Sequence, residues 1–430
     1  MSARNRELLA LVPASMLITA GFAAIFIGRS DVVSDLSFTY GLIFLGICVA
    51  THLVIRFTLP HADPYLFPLV ALLACFGLVI IYRLDEDKAI SQAGWFVAGL
   101  GLFSATIIAL RRDFRVLEQY RYLIALGSLI LLLLPRVPGI GATANGAFLS
   151  VDLKVISFQP AEFAKLGIVI FLAAYLREHR DVLILSSKRI LGVTFPPLKH
   201  FGPLLVIWLT AMFLLFFIRD IGSSLMFFGA FLAILYVATN RAGFVVVGLL
   251  AFAAGAFVVA QGVGHIQNRV DVWMHPFQQS LYDADGGSYQ VVQGLFSQAD
   301  GGLFGTGFGG SLVLPPLPDT DLIYAVIVNE LGLAGACGLI LVYLTFVARG
   351  LKTAMIARDS FSTLLAAGLS AVFALQVFVI VGGVTRVIPL TGVTLPFVSY
   401  GGSSILANFV LLALLLLVSD RARREAVTPV

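Results

Sequence analysis

Residues 221–260 read IGSSLMFFGAFLAILYVATNRAGFVVVGLLAFAAGAFVVA, and a single charge, Arg241, interrupts them. Each half is an apolar run of the length that crosses a bilayer as a helix, about 17–25 residues. A helix satisfies its own backbone N–H and C=O groups, so lipid tolerates it. The stretch therefore reads as two membrane helices joined by a turn. The remainder of the chain has the same texture. Apolar residues make up 59% and charged residues 12% of its 430 residues, about half the charged share of a soluble domain. Mean hydropathy is +0.98. A β-barrel would alternate polar and apolar residues in segments of about ten, and no such alternation is present. The net charge of +4 lies in the loops, which makes it a topology signal rather than a nucleic-acid signal.

Apolar runs of spanning length fall at 8–28, 37–57, 64–82, 92–110, 120–135, 160–176, 202–218, 221–238, 242–261, 322–348, 361–384 and 396–419. The expected fold class is thus an all-α polytopic membrane protein of about twelve transmembrane helices with long extracytoplasmic loops. With the amino terminus inside, RRDFR (111–115) and LREHR (176–180) fall on the cytoplasmic side, as do most of the 28 Lys and Arg residues. The remaining basic residues, among them Arg136, Arg219, Arg269 and Arg386, fall outside. The bias follows the positive-inside rule and places both termini in the cytoplasm. The first apolar run lacks an A-x-A cleavage site and reads as a retained helix. Cys48, Cys75 and Cys337 sit in apolar runs without CxxC spacing and read as buried hydrophobes. The six histidines form no ligand pair.

Two long segments, 136–159 and 262–321, face outward in this topology. Loops of that length are rarely mere connectors. ATP and nucleotide sugars are absent outside the cell, so chemistry there must draw on a preactivated substrate and needs no nucleotide cofactor. GTGFGG (305–310) matches GxGxxG, but no strand precedes it, and it reads as a packed loop rather than a dinucleotide site. FQPAEFAK (158–165) opens a span with Pro160 at the first helical position. Glu162 and Lys165, spaced i,i+3, form a structural ion pair or hold an anionic group. RDIGSS (219–224) anchors a turn or carries a cation in Arg219; Arg269 in NRVDVW (268–273) is similar. GGVTRVIPLTGVTLPFVSYGGSSILAN (382–408) is dense in Gly, Pro, Ser and Thr, the pattern of a broken segment lining a cavity. In DTDLIYAVIVNELG (319–332), Asp321 is placed to cap a helix. Glu330, nine residues on, falls on the opposite face of a regular helix and reads as a packing residue.

Taken together, NGA (145–147), FQPAEFAKL (158–166), DIGSSL (220–225), SYQVVQGLFSQADGGLFGTGFG (288–309), TDLIYAVIVNELG (320–332) and PLTGVTLPFVSYGGSS (389–404) resemble the SEDS family of shape, elongation, division and sporulation proteins, which includes RodA and FtsW. The resemblance runs from about residue 64 to the carboxyl terminus. It implies a ten-helix core (64–430), with residues 1–63 as two additional helices, an arrangement like the actinobacterial RodA branch. It also implies peptidoglycan glycosyltransferase activity: lipid II is polymerised into glycan strands on the outer face of the bacterial cytoplasmic membrane, for cell elongation. The family's catalytic aspartate falls on Asp321. Its usual HTDF reads DTDL here, so Asp319 replaces histidine and Leu322 phenylalanine. Its NGARRW is broken, with Phe148, Leu149 and Ser150 where Arg-Arg-Trp is common; its EELG reads NELG.

On this resemblance the expected catalytic base is Asp321. The substrate- and diphosphate-binding candidates are Lys165, Glu162, Arg269, Arg386, Ser399, Tyr400 and Gly401, with Arg219 a weaker one. The alternative role for Asp321 or Asp319 is to hold Mg²⁺ or Mn²⁺ at the diphosphate. The implied partner is a class B penicillin-binding protein, a transpeptidase; membrane lipids are also expected contacts, and nucleic acid is not. The competing functions are a lipid II transporter or flippase, a division (FtsW-like) paralogue, and a scaffold without catalysis.

Overall fold

The computed structural model describes residues 2–30, 35–144, 147–152, 157–185, 188–190, 193–195, 198–262, 264–284, 286–311 and 313–427. Its helices are α1 (Ala3–Ser30), α2 (Asp35–Thr58), α3 (Leu66–Leu84), α4 (Glu86–Leu110), α5 (Val116–Gln119), α6 (Arg121–Leu133), α7 (Pro160–Leu185), α8 (Leu198–Phe217), α9 (Ile221–Thr239), α10 (Ala242–Gly262), α11 (Gly264–Met274), α12 (Gln279–Tyr282), α13 (Tyr289–Gly301), α14 (Ile323–Ile356), α15 (Ser360–Val384) and α16 (Gly402–Val427). A 3-10 turn, Leu134–Arg136, follows α6. Each of the apolar runs read as a span overlaps one helix, although the run at 396–419 is helical only from Gly402 and α6 has 13 residues. Eight described helices are long and apolar enough to cross a membrane, and Gly202–Phe217 and Ala242–Phe257 are shorter apolar helices. The protein is a multi-pass membrane protein of all-α class.

The segment 136–159 is not a bare loop. It folds into an antiparallel sheet in the order β1 (Gly141–Ala144), β2 (Ala147–Asp152), β3 (Ser157–Phe158). Strands this short leave too few alternations for period two to be legible. A second hairpin pairs β4 (Lys188–Ile190) with β5 (Val193–Phe195). NGA lies partly outside the described residues, at 145 and 146.

The chain forms two compact units, 1–112 with 269–349 and 376–430, and 113–268 with 350–375. Within the first, α4 packs along α16. Lipid tails are as apolar as leucine, so helices associate here by close packing rather than by the hydrophobic effect. Gly99 supplies that closeness, because a Cβ there would run into the Phe409 ring. Phe409 in turn meets the Phe96 and Phe397 rings at 5.6 and 5.1 Å. The α1–α2 hairpin packs on α3, with the Phe22 ring edge-on to Tyr82 at 4.8 Å. At one end of α1, a buried cluster holds the hairpin: Arg4 pairs with Glu7 and donates to the Ala62 carbonyl, and Glu7 meets His52 Nδ1 at 2.8 Å.

Within the second unit, α7 packs against α6, α8 and α9. Asp220 caps α9 through a bond from Ser223 N to Oδ1 of 2.9 Å, so that aspartate anchors its turn.

The helix α14 is broken. Gly332 has φ 68° and ψ −176°, which takes its peptide out of the helical ladder. The segment 301–310 repairs the break. Thr306 N and Gly307 N donate to the carbonyls of Asn329 and Glu330 at 2.9 and 3.0 Å. In return, Leu333 N and Ala334 N donate to the carbonyls of Gly302 and Leu303 at 3.0 and 3.1 Å. GTGFGG is thus a backbone-packing loop. Glu330 is buried, and Arg83 Nε lies 2.9 Å from its Oε1. A Cβ on Gly332 would collide with Gly305 N and the Leu303 carbonyl, whereas Gly338 in the same helix has open space. Gly332→Ala should therefore destabilise the protein by more than about 2 kcal/mol. Gly338→Ala should be neutral or raise stability by up to about 1 kcal/mol. Thermal unfolding in detergent checks the pair.

Candidate active site

Asp321 lies in the turn that leads into α14, which starts at Ile323. The expected cap is not there: among the described residues no hydrogen bond reaches its carboxylate. The turn is instead held through the backbone. Tyr400 N donates to the Asp319 carbonyl at 2.8 Å, and Ser399 Oγ donates to the Thr320 carbonyl at 2.8 Å. Ser399 Oγ also accepts from Leu395 N at 2.9 Å. Ser399 is buried and acts as a clamp between the two segments. Gln92, buried on α4, completes it: its Nε2 donates to the Ser399 carbonyl at 3.0 Å and its Oε1 accepts from Gly401 N at 3.2 Å. The Ser-Tyr-Gly run therefore works chiefly as backbone geometry that seats Asp321.

Gly392, with φ 74°, faces the acid; a Cβ there would lie 3.5 Å from Asp321 Oδ2. Two buried hydroxyls of the same loop, Thr391 Oγ1 and Thr394 Oγ1, have no hydrogen-bond partner among the described residues. Burial pushes the Asp321 carboxyl up from its ordinary 3.8 to about 6. The positive charge of Arg269 pulls it down and the neighbouring Asp319 adds to the rise. A carboxylate in this condition is ionised at neutral pH yet is a better proton acceptor than a solvated one.

The cations are distributed differently from the sequence expectation. Arg269, on α11, donates through Nη1 to the Leu390 carbonyl at 3.0 Å, and its charge acts on Asp321. Arg386, with φ 62°, donates to the carbonyls of Trp273 and Met274 at 2.8 and 3.2 Å. Trp273 Nε1 returns a bond to the Arg386 carbonyl at 3.0 Å. These bonds tie the carboxyl end of α11 to the 385–392 loop, so both arginines also hold the loop in shape. Glu162 and Lys165 are buried and paired at 2.6 Å near the start of α7, in the other compact unit. Arg219, with φ 66°, belongs to that unit too.

Lys88 is the residue that sequence reasoning missed. Its Nζ lies 2.9 Å from Asp319 Oδ2, and Asp319 is buried. A signal was present. Lys88 sits in the first turn of α4, where the helix dipole disfavours a cation, and its backbone N–H bonds the Asp85 cap at 3.0 Å. A cation kept there against the dipole points to a specific partner. The pair also accounts for Asp319 where the family resemblance puts histidine: the added negative charge is matched.

Asp319 is thereby engaged, and no group of three or more His, Cys, Asp or Glu side chains that could hold a metal occurs among the described residues. The donor set does not fit a resident all-protein metal cage.

The profile of a family described as "Cell cycle protein", covering FtsW, RodA and SpoVE, matches residues 64–424. The peptidoglycan glycosyltransferase RodA of Mycobacterium tuberculosis (strain ATCC 25618 / H37Rv) is 42% identical over 434 residues, 98% of this chain and 91% of its own length. Stage V sporulation protein E of Bacillus subtilis is 30% identical over 374 residues, 84% of this chain and 98% of its own. Among solved structures, the rod shape determining protein RodA of Thermus thermophilus aligns with a TM-score of 0.60 at 26% identity, over 86% of this chain and 98% of that one. A chain from a study of how a peptidoglycan synthase complex coordinates polymerization and crosslinking aligns with a TM-score of 0.67 at 26% identity, over 85% and 99%.

The Lys88–Asp319 pair generates a charge-swap prediction. Lys88→Asp leaves two carboxylates facing each other beside Asp321 and should lower turnover on the order of tenfold or more. Lys88→Asp combined with Asp319→Lys should recover most of that loss, a coupling read from a double-mutant cycle. Equal damage in the single and double variants would show that the pair does not set the position of the turn.

Proposed function

The chain belongs to the FtsW/RodA/SpoVE family, and from that premise we propose that it is a RodA-like peptidoglycan glycosyltransferase. Its substrate is lipid II, a disaccharide-pentapeptide carried on undecaprenyl diphosphate, and its product is a glycan strand for cell elongation. The observation that carries this reading is Asp321: a partly buried carboxylate without a hydrogen bond, seated by a clamped turn, with a cation acting on it. A structural aspartate would have been spent on a cap or an ion pair, as Asp220 and Asp319 are.

The reaction needs one base. The C4 hydroxyl of one acceptor sugar attacks C1 of the sugar that bears the diphosphate, with inversion. Asp321 takes the hydroxyl proton as the new C–O bond forms. The bond from C1 to the diphosphate oxygen breaks, and the diphosphate leaves as an anion without needing a proton. The second carboxylic acid of a glycosidase is therefore not required. Charge on the leaving group is met by Arg269, with Arg386 as a further candidate, and Lys165 is a separate anion-binding candidate within the second unit. Glu162 would position Lys165, while Ser399, Tyr400 and Gly401 position Asp321. Where a divalent Mg²⁺ or Mn²⁺ takes part, Asp321 would be its protein ligand, and it would neutralise diphosphate charge. Thr391 and Thr394 offer unspent hydroxyls for sugar oxygens.

The surrounding assignments follow the same premise. We place the active site on the extracytoplasmic side of the cytoplasmic membrane and both termini inside, on the charge bias of the loops. We take α1 and α2 as an addition to a ten-helix core, in line with a family match that begins at residue 64. We infer a class B penicillin-binding protein as partner, because a structural neighbour comes from a synthase complex.

In proteoliposomes loaded with lipid II, Asp321→Asn should abolish glycan polymer while leaving lipid binding intact. Loss of lipid translocation with unchanged polymerisation would point to a transporter, and wild-type growth of the variant to a scaffold. The acid also makes two pH predictions. Turnover should climb as pH rises through about 6, because the base must be ionised. The folded state holds the Asp321 proton more tightly than the unfolded chain, so ionising it costs stability as pH rises from 3.8 to about 6. Asp321→Asn should therefore melt higher than the parent above pH 6, with the gain shrinking towards pH 4.

A further inference from the structure

The second unit contains a cation that the proposed chemistry does not use. Arg136 ends the 3-10 turn after α6. Its guanidinium carbon lies 4.0 Å from the Phe148 ring centroid and 4.5 Å from that of Phe217. The two rings come from β2 and α8, and the backbone holds them in place: Phe148 N donates to the Ile218 carbonyl at 3.0 Å. The turn beneath is fixed as well. Gly141 N donates to the Val137 carbonyl at 3.1 Å, and a Cβ on Gly141 would collide with the Pro135 carbonyl. Arg136 is thus a built feature rather than a loose surface side chain.

Ring faces engage the π-face of a guanidinium and leave its in-plane N–H donors unspent. Among the described residues no ion pair or side-chain hydrogen bond takes those donors up. A flat fork with open donors and a full charge fits the oxygens of a phosphate, which it can grip with two parallel bonds. The surroundings say what carries that phosphate. Leu133 and Val137, on either side of the turn, are exposed, as are Phe213 and Phe217 on α8. In a membrane protein such side chains face acyl chains. An oxyanion receptor bordered by exposed apolar side chains has the chemistry to meet a phospholipid, acyl chains against the apolar border and phosphate at the cation.

We propose that Arg136, framed by Phe148 and Phe217, binds the phosphate group of an anionic membrane phospholipid. The site also gives Phe148 a role. The family resemblance expects arginine at that position; here an aromatic ring presents an arginine from elsewhere in the chain. Phosphate of the same kind occurs in the diphosphate of a polyprenyl-linked sugar, so the experiment separates the two sources.

The full-length protein is reconstituted in vesicles of equal parts phosphatidylglycerol and phosphatidylcholine, and the lipid that remains bound is read by native mass spectrometry. The wild type should retain phosphatidylglycerol preferentially. Arg136→Gln should lower that preference on the order of tenfold, and Arg136→Lys by several-fold, since the charge stays but the planar fork goes. Phe148→Tyr should keep the preference and Phe148→Leu should lose it, with matched thermal midpoints showing that both fold. Equal retention by the wild type and Arg136→Gln overturns the proposal. So does unchanged retention together with a raised KM for lipid II, which would assign the site to the substrate diphosphate.

Discussion

Backbone N–H and C=O groups have no water to turn to inside a bilayer, and that constraint shapes this protein more than any single side chain. The described residues of the first unit include two places where the helical ladder is interrupted beside an apolar helix. One is the break at Gly332, the other the turn before α14. Each is repaired by a second irregular segment. Residues 301–310 bond the broken carbonyls of Asn329 and Glu330, and residues 395–400 bond the carbonyls of Asp319 and Thr320. Irregular backbone persists because irregular backbone elsewhere completes it. Asp321 owes its location to this pairing: it is placed by its neighbours' main chain rather than by bonds of its own.

The second constraint is charge. Each ionisable group withdrawn from water carries a desolvation cost that a partner must offset. Most buried charges of the first unit meet it openly, in Arg83 with Glu330, Lys88 with Asp319, and Asp63 with Arg349 and Arg423. Asp321 does not, and its proton is held up to about 6 as a result. The fold tolerates that cost at one acid and removes it at the adjacent one. The contrast between Asp319 and Asp321, two residues apart, separates a group that holds the turn from one left available for chemistry.

The fold class was legible because its signal is coarse. Runs such as 221–260 need only sustained apolarity, and each span overlaps a helix. Finer features depended on groups far apart in sequence. The β1–β2–β3 sheet escaped because β3 has two residues and β1 four. A cap for Asp321 was a sound local expectation, but α14 starts at Ile323, one residue later than a helix capped by Asp321 would, and the carbonyls of Asp319 and Thr320 are bonded to the 395–400 segment. Glu330, read as a packing residue, is buried against Arg83, and the helix assumed from Asp321 onward begins only at Ile323. Lys88 lies 231 residues from its partner Asp319, and no local pattern expresses that distance.

The amino-acid sequence alone determined the solvent, the class, the positions of the spans and the family, because hydropathy and motif order are properties of a string. It also singled out Asp321, as a carboxylate retained in a chain with few charges. Only the tertiary structure decided which acid is engaged and which is open, which arginines are tied to carbonyls, and that Phe148 and Phe217 enclose Arg136. Those outcomes depend on distances of 3–5 Å between segments from different parts of the chain. Packing creates such distances, and the order of residues does not contain them.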